Sequence, residues 1–200
     1  MNAIHELTTN HYPLHERRHK IMADYYEMTI CGFTRRLVKC PLNEKIDIAA
    51  FIMLGDVELT IAAATALLEK SPDFDMLLTA EAKGIPLAYE MARQSGKPYL
   101  VGRKSRKLYM NDPLSVDVKS ITTDRTQTLF MDKDETQLLK GRRVLVVDDV
   151  ISTGESLKAL EALVNLAGGL LVGEAAVLAE GDAIDRKDIV YLEPLPLFFK

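Results

Sequence analysis

With 200 residues, 25 Lys and Arg, 29 Asp and Glu and a net charge of −4, the chain can bury roughly 70% of its unfolded surface around one core. A composition of 48% hydrophobic and 27% charged residues excludes wholesale disorder, and the acidic balance argues against a nucleic-acid partner. No apolar run approaches the roughly 20 residues of a membrane span, and the N-terminus lacks the apolar centre of a signal peptide, so no membrane partner and a cytoplasmic location are expected.

Residues 1–20 are polar, are broken by Pro13 and hold all four histidines, His5, His11, His15 and His19. The last three share a helical spacing, but Pro13 interrupts it and no carboxylate is placed with them, so solvated imidazoles are expected. Residues 21–30 can continue as a helix. Cys31 and Cys40 are too few for a disulfide framework and fit no common zinc spacing. Residues 35–39 and 46–53 are strand candidates around a Pro-Leu-Asn turn at 41–43. Asp56 is placed to cap a helix over 58–69, whose apolar face is Leu59, Ala63, Ala66 and Leu67. A buried strand at 76–79, a helix at 84–94 stopped by Gly96, and a strand at 99–102 follow. Residues 115–121 and 127–131 alternate as a hairpin does, with the tip at 122–125. Residues 144–147 form an uninterrupted apolar strand, 156–167 a helix ended by Gly168 and Gly169, and 170–178 a further buried strand. The tail from Tyr191, with two prolines and two phenylalanines, is expected to be an irregular, packed end.

Short apolar strands alternating with helices predict an α/β fold, a mostly parallel twisted sheet flanked by helices. Ligands bind such sheets outside the carboxyl ends of the strands, which singles out residues 79–84, 102–107 and 148–156.

The last of these carries the most chemistry. Residues 144–156 read Val-Leu-Val-Val-Asp-Asp-Val-Ile-Ser-Thr-Gly-Glu-Ser, an apolar strand ending in two acids, then a small-residue loop, then a helix. A loop entering a helix N-terminus offers free N–H groups and the positive dipole end, a ready phosphate site. The adjacent carboxylates suit vicinal hydroxyls or a metal-bound group. The same pattern also suits a plain helix cap after a strand.

This stretch resembles the 5-phosphoribosyl 1-diphosphate (PRPP) loop of the type I phosphoribosyltransferases. The resemblance implies that Asp148 and Asp149 are the catalytic acids facing the ribose hydroxyls. It implies that Ile151, Ser152, Thr153, Gly154, Glu155 and Ser156 hold the 5-phosphate, with Val150 and Ile151 near the base. Residues 79–85, Thr-Ala-Glu-Ala-Lys-Gly-Ile, resemble the Glu-Ala-Arg-Gly turn of adenine phosphoribosyltransferases, so Glu81, Ala82, Lys83 and Gly84 are implied to cradle the diphosphate. Lys83 stands where Arg is usual and lacks its bidentate fork. Arg103-Lys-Ser-Arg-Lys107 resembles the family's Arg-Lys pair, which adds Arg103 and Lys104, and less strongly Lys107, to the diphosphate site.

The hairpin falls where the family carries a catalytic lid, here at about 105–131. Its Ser-Ile-Thr-Thr-Asp-Arg-Thr-Gln-Thr stretch at 120–128 lacks the usual Leu-Glu-Tyr-Gly, and resembles the xanthine phosphoribosyltransferase and purine-repressor branch. The ending Leu-Glu-Pro-Leu-Pro-Leu-Phe at 192–198 resembles the adenine enzymes instead. The resemblance covers about residues 45–200. It implies an N-terminal arm or hood over 1–40, a phosphoribosyltransferase core over 41–200, and a homodimer. The implied reaction is transfer from PRPP, with Mg²⁺ held mainly through PRPP and water and no direct metal ligand, to a purine base, adenine first. Xanthine, hypoxanthine or guanine as the base, and a non-catalytic PRPP-sensing regulator, are the alternatives. A dehydrogenase-like nucleotide domain is disfavoured, because no Gly-x-Gly-x-x-Gly follows the first strand.

Overall fold

A computed structural model describes residues 24–119 and 126–200. The arm at 1–20 with its histidines and the hairpin tip at 122–125 lie outside the described residues.

The described chain opens with β1 (Tyr25–Ile30), β2 (Phe33–Pro41) and β3 (Ile46–Ala50), an antiparallel meander. Residues 25–30, expected to continue a helix, are therefore a strand, and 21–23 lie outside the described residues. Tyr26, Met28 and Ile30 turn inward while Tyr25, Glu27 and Thr29 are exposed, the period of two that a half-buried strand requires. Cys31 and Gly32, at φ 50° and 84°, form the two-residue turn whose positive dihedrals match the strand twist.

Helix α1 (Val57–Lys70) starts at Asp56, whose carboxylate accepts the Leu59 N–H at 3.3 Å. Next come β4 (Met76–Ala80), α2 (Ile85–Ser95), closed by Gly96 at φ 70°, and β5 (Tyr99–Gly102). The alternating segments pair as an antiparallel hairpin, β6 (Leu114–Lys119) with β7 (Thr126–Met131). Helix α3 (Lys133–Leu139), absent from the sequence reading, opens with a reciprocal capping box between Asp132 and Glu135.

β8 (Arg143–Ile151) runs past the expected end at 147, because its pairing with β9 (Leu170–Glu180) continues to Ile151 opposite Ala179. The two acids thus sit within the strand rather than after it. Helix α4 (Glu155–Leu166) lies between β8 and β9 in the chain. The tail is not irregular. A 3-10 turn at Gly181–Asp185 leads into β10 (Ile189–Leu195), a parallel edge strand that tolerates Pro194, and β11 (Leu197–Phe199) then pairs with β3.

The central sheet has the order β10-β9-β8-β4-β5 and is parallel throughout. One apolar core lies between it, α1 and α2 and reaches the small sheet; the other lies between it, α4 and the hairpin. The small sheet, β1-β2-β3-β11, takes strands from both sides of the expected boundary at residue 40, which falls inside β2. Tyr26 packs edge-on against Phe198 across this sheet, with ring centres 5.2 Å apart. The Arg35 guanidinium grips Asp56 at 2.5 and 2.9 Å and ties β2 to the start of α1.

Candidate active site

The sheet turns around β4. Its partner on one side, β5, follows through α2, whereas β8 on the other side comes much later, and such a switch point leaves a crevice at the carboxyl ends. Pairing between β4 and β8 stops at Leu78 opposite Val146. Beyond it β4 follows β5 to Ala80 opposite Gly102, while β8 follows β9. The turn at 81–84 folds back into this gap. Only glycine fits at 84, because a Cβ there would lie 2.3 Å from Thr79 Oγ1 and 3.0 Å from Asp148 Oδ1. The Glu81–Ala82 peptide bond is cis.

The crevice joins groups far apart in sequence. Lys83 Nζ donates to Asp149 Oδ2 at 2.5 Å, and the Asp149 side chain is only 4% exposed. The Asp149 N–H donates to Asp148 Oδ1 at 2.8 Å. Burial, then the neighbouring Asp149 charge, push the Asp148 carboxyl up to about 7. Two acids thus share one cation, and the pair can accept hydrogen bonds from vicinal hydroxyls.

Glu81 gathers the basic segment. Its carboxylate accepts the Lys104 backbone N–H at 2.9 Å, approaches Lys107 Nζ at 3.2 Å and lies 3.6 Å from Arg103 Nη1. Burial raises the Glu81 pKa, but these donors and charges outweigh it and hold the carboxyl below its ordinary value. Lys107 thus meets Glu81 as Arg103 does, while Lys104 contributes its backbone and leaves its side chain exposed. Arg103 also exchanges two backbone hydrogen bonds with Phe130, at 2.8 and 2.7 Å, which fastens the root of the hairpin to β5.

Past the acids, Val150 and Ile151 lead into Ser152, Thr153 and Gly154, the N-cap of α4 at φ 73°. This loop, with Asp148, Glu155, Ser156 and Leu157, lines a polar pocket of about 90 Å³. The first turn of α4, with the positive end of the helix dipole, borders that pocket, as an anion site requires. A wider cleft of about 510 Å³, with Asp112, Lys133 and Lys140 in its wall, sits against the C-terminal end of α4 near Leu166, one helix length of about 18 Å away.

Two further residues border the site without a sequence signal. Burial pushes the Glu180 carboxyl up, against the opposing charge of Lys83. The Arg186 guanidinium faces Gly154. Among the described residues no three His, Cys, Asp or Glu side chains converge as a metal cage would, and Asp149 is engaged by Lys83.

An acid pair and a helix N-terminus thus meet at the switch point of a parallel sheet in an α/β fold. Residues 56–194 match the phosphoribosyl transferase domain model, and the chain belongs to that family. It is 34% identical over 123 residues to the adenine phosphoribosyltransferase of Thermotoga petrophila, covering 61% of this chain and 64% of that one. It is 30% identical over 122 residues to the xanthine phosphoribosyltransferase of an Exiguobacterium strain, covering 60% and 62%. These matches span less than two thirds of either relative. The fold superposes on an adenine phosphoribosyltransferase from Thermoanaerobacter pseudethanolicus with a TM-score of 0.67, at 24% identity, over 79% of this chain and 95% of that one.

Proposed function

We propose that the protein transfers the 5-phosphoribosyl group of PRPP to a purine base, adenine first, giving the nucleoside 5-monophosphate and diphosphate. The observation that carries this is the crevice between β4 and β8, where a phosphate-sized loop, an acid pair and a cation-rimmed turn face one another. The family membership and the adenine phosphoribosyltransferase relative support the same reading.

In this reading the loop at 151–156 holds the 5-phosphate with its N–H groups and hydroxyls. Asp148 and Asp149 hold the ribose hydroxyls. Lys83, Arg103, Lys107 and the Lys104 N–H receive the diphosphate as negative charge builds on it. Binding of that group competes for the cations that Glu81 now gathers. Mg²⁺ enters with the diphosphate as part of the substrate, since the donor set suits one or two outer contacts rather than a cage. The base attacks the anomeric carbon from the side of Val150 and Ile151 as the diphosphate leaves. Positive charge that develops on the sugar, as in other glycosyl transfers, is offset by the nearby acids. Closing the hairpin excludes water, which would otherwise compete with the base. We place the enzyme in the cytoplasm, and as a homodimer, for which the exposed apolar side chains of Ile52, Leu54, Val57 and Ile61 offer an interface.

The test is a steady-state assay with PRPP and Mg²⁺ against adenine, hypoxanthine, guanine and xanthine. Turnover of adenine is expected. Turnover of an oxopurine alone would move the base to the xanthine branch, in keeping with the lid sequence. PRPP binding without turnover of any base would favour a PRPP-sensing regulator.

A further inference from the structure

We propose that Arg186 is a positioning residue for the loop at 151–156: its guanidinium props the left-handed turn at Gly154 from behind and keeps the loop's N–H groups aimed at the ligand phosphate. The proposal rests on reading that loop as the PRPP phosphate site.

Arg186 directly follows the 3-10 turn, and its backbone N–H donates to the carbonyl of buried Ala183 at 3.2 Å. Nε and Nη2 donate to the two oxygens of Asp188 at 3.0 and 2.7 Å, and Nη2 also donates to Glu174 Oε2 at 2.8 Å. These bonds set the plane of the guanidinium. Its third nitrogen, Nη1, then faces Gly154, where an added Cβ would lie 3.5 Å from it. Gly154 caps α4 at φ 73° with no side-chain cap hydrogen bond, so its own residue supplies nothing to hold the turn.

The charge arrangement says that the guanidinium acts through shape. A bare cation behind a helix N-terminus opposes the dipole. Here Asp188 and the 5% exposed Glu174 offset it. Burial, then the adjacent Glu161 of α4, push the Glu174 carboxyl up to about 7, so the network returns to the helix whose start it props. Only a planar fork can bind two carboxylates and present a flat third edge. A lysine would keep the charge and lose the shape.

The experiment measures PRPP binding in Mg²⁺ by calorimetry, with KM values for PRPP and base. It compares the wild type, Arg186→Lys, and Arg186→Gln combined with Glu174→Gln, which leaves no unpaired buried carboxylate. Both variants are expected to bind PRPP about tenfold more weakly, as a slight misplacement of a binding group allows, with the loss falling on KM for PRPP rather than on KM for the base. Wild-type affinity in the folded double variant would overturn the proposal. So would full affinity in Arg186→Lys, which would make the role one of charge. A wild type that does not bind PRPP would remove the loop reading and this proposal together.

Discussion

Asp148 is held in a state that folding alone would not favour. Its folded pKa of about 7 lies above the ordinary 3.8, so between those values the folded protein keeps a proton that the unfolded chain has released. Stability from this group therefore falls as pH rises from about 4 to about 7 and is level beyond. Asp148→Asn removes the penalty. Its melting temperature should gain on the wild type as pH is raised through that window, and the two should run in parallel below about pH 4. Identical pH profiles would mean that the acid is not desolvated. Function should move the other way. Asp148→Asn with Asp149→Asn takes both acceptors from the ribose, and turnover should drop at least about tenfold, a barrier change of roughly 1.4 kcal/mol. Unchanged kinetics in the double variant would remove the acids from the mechanism.

The turn at 81–84 depends on a missing side chain. Gly84→Ala would place a methyl 2.3 Å from Thr79 Oγ1, against a fully buried strand residue that cannot swing away. The expected loss is about 1–3 kcal/mol, or roughly 3–10 °C in melting temperature for a chain of this size. A melting point within one degree of wild type would show that the turn has room. Elements with strong local signals were legible in the chain itself: the Asp56 cap of α1, Gly96 behind α2, and the apolar runs of β4, β5 and β8. α3 was missed although Asp132 and Glu135 stand at capping-box spacing, because its seven residues are too short for a helical period to show. β1 was missed because its alternation follows a polar stretch that suits a helix. β10 and β11 were missed because two prolines suggested an irregular end, whereas an edge strand has N–H positions to spare.

At the scale of the molecule, the crevice depends on where strands part company. Its acids and phosphate loop could be read locally, because one strand, one turn and one helix start build them. The meeting of Lys83 with Asp149, 66 residues apart, and of Arg186 with Gly154 follows from the sheet order, which no local motif encodes. The small sheet packs on the first apolar core and is also tied to α1 by the Arg35–Asp56 pair; we propose that it serves as the hood over the base, so the base side of the site should respond to that link. Arg35→Ala should raise KM for the base about threefold, the worth of a partly exposed ion pair, while KM for PRPP holds. Equal effects on both constants would place the small sheet outside base recognition.

The proposed function stands or falls with PRPP binding at the loop 151–156. Calorimetric titration of the wild type and of Thr153→Val with PRPP in Mg²⁺ tests it most directly. Saturable binding by the wild type is expected, with affinity at least about fivefold weaker once the hydroxyl is lost, in line with one hydrogen bond to a charged group. No binding by the wild type, or the same affinity in Thr153→Val, would contradict it.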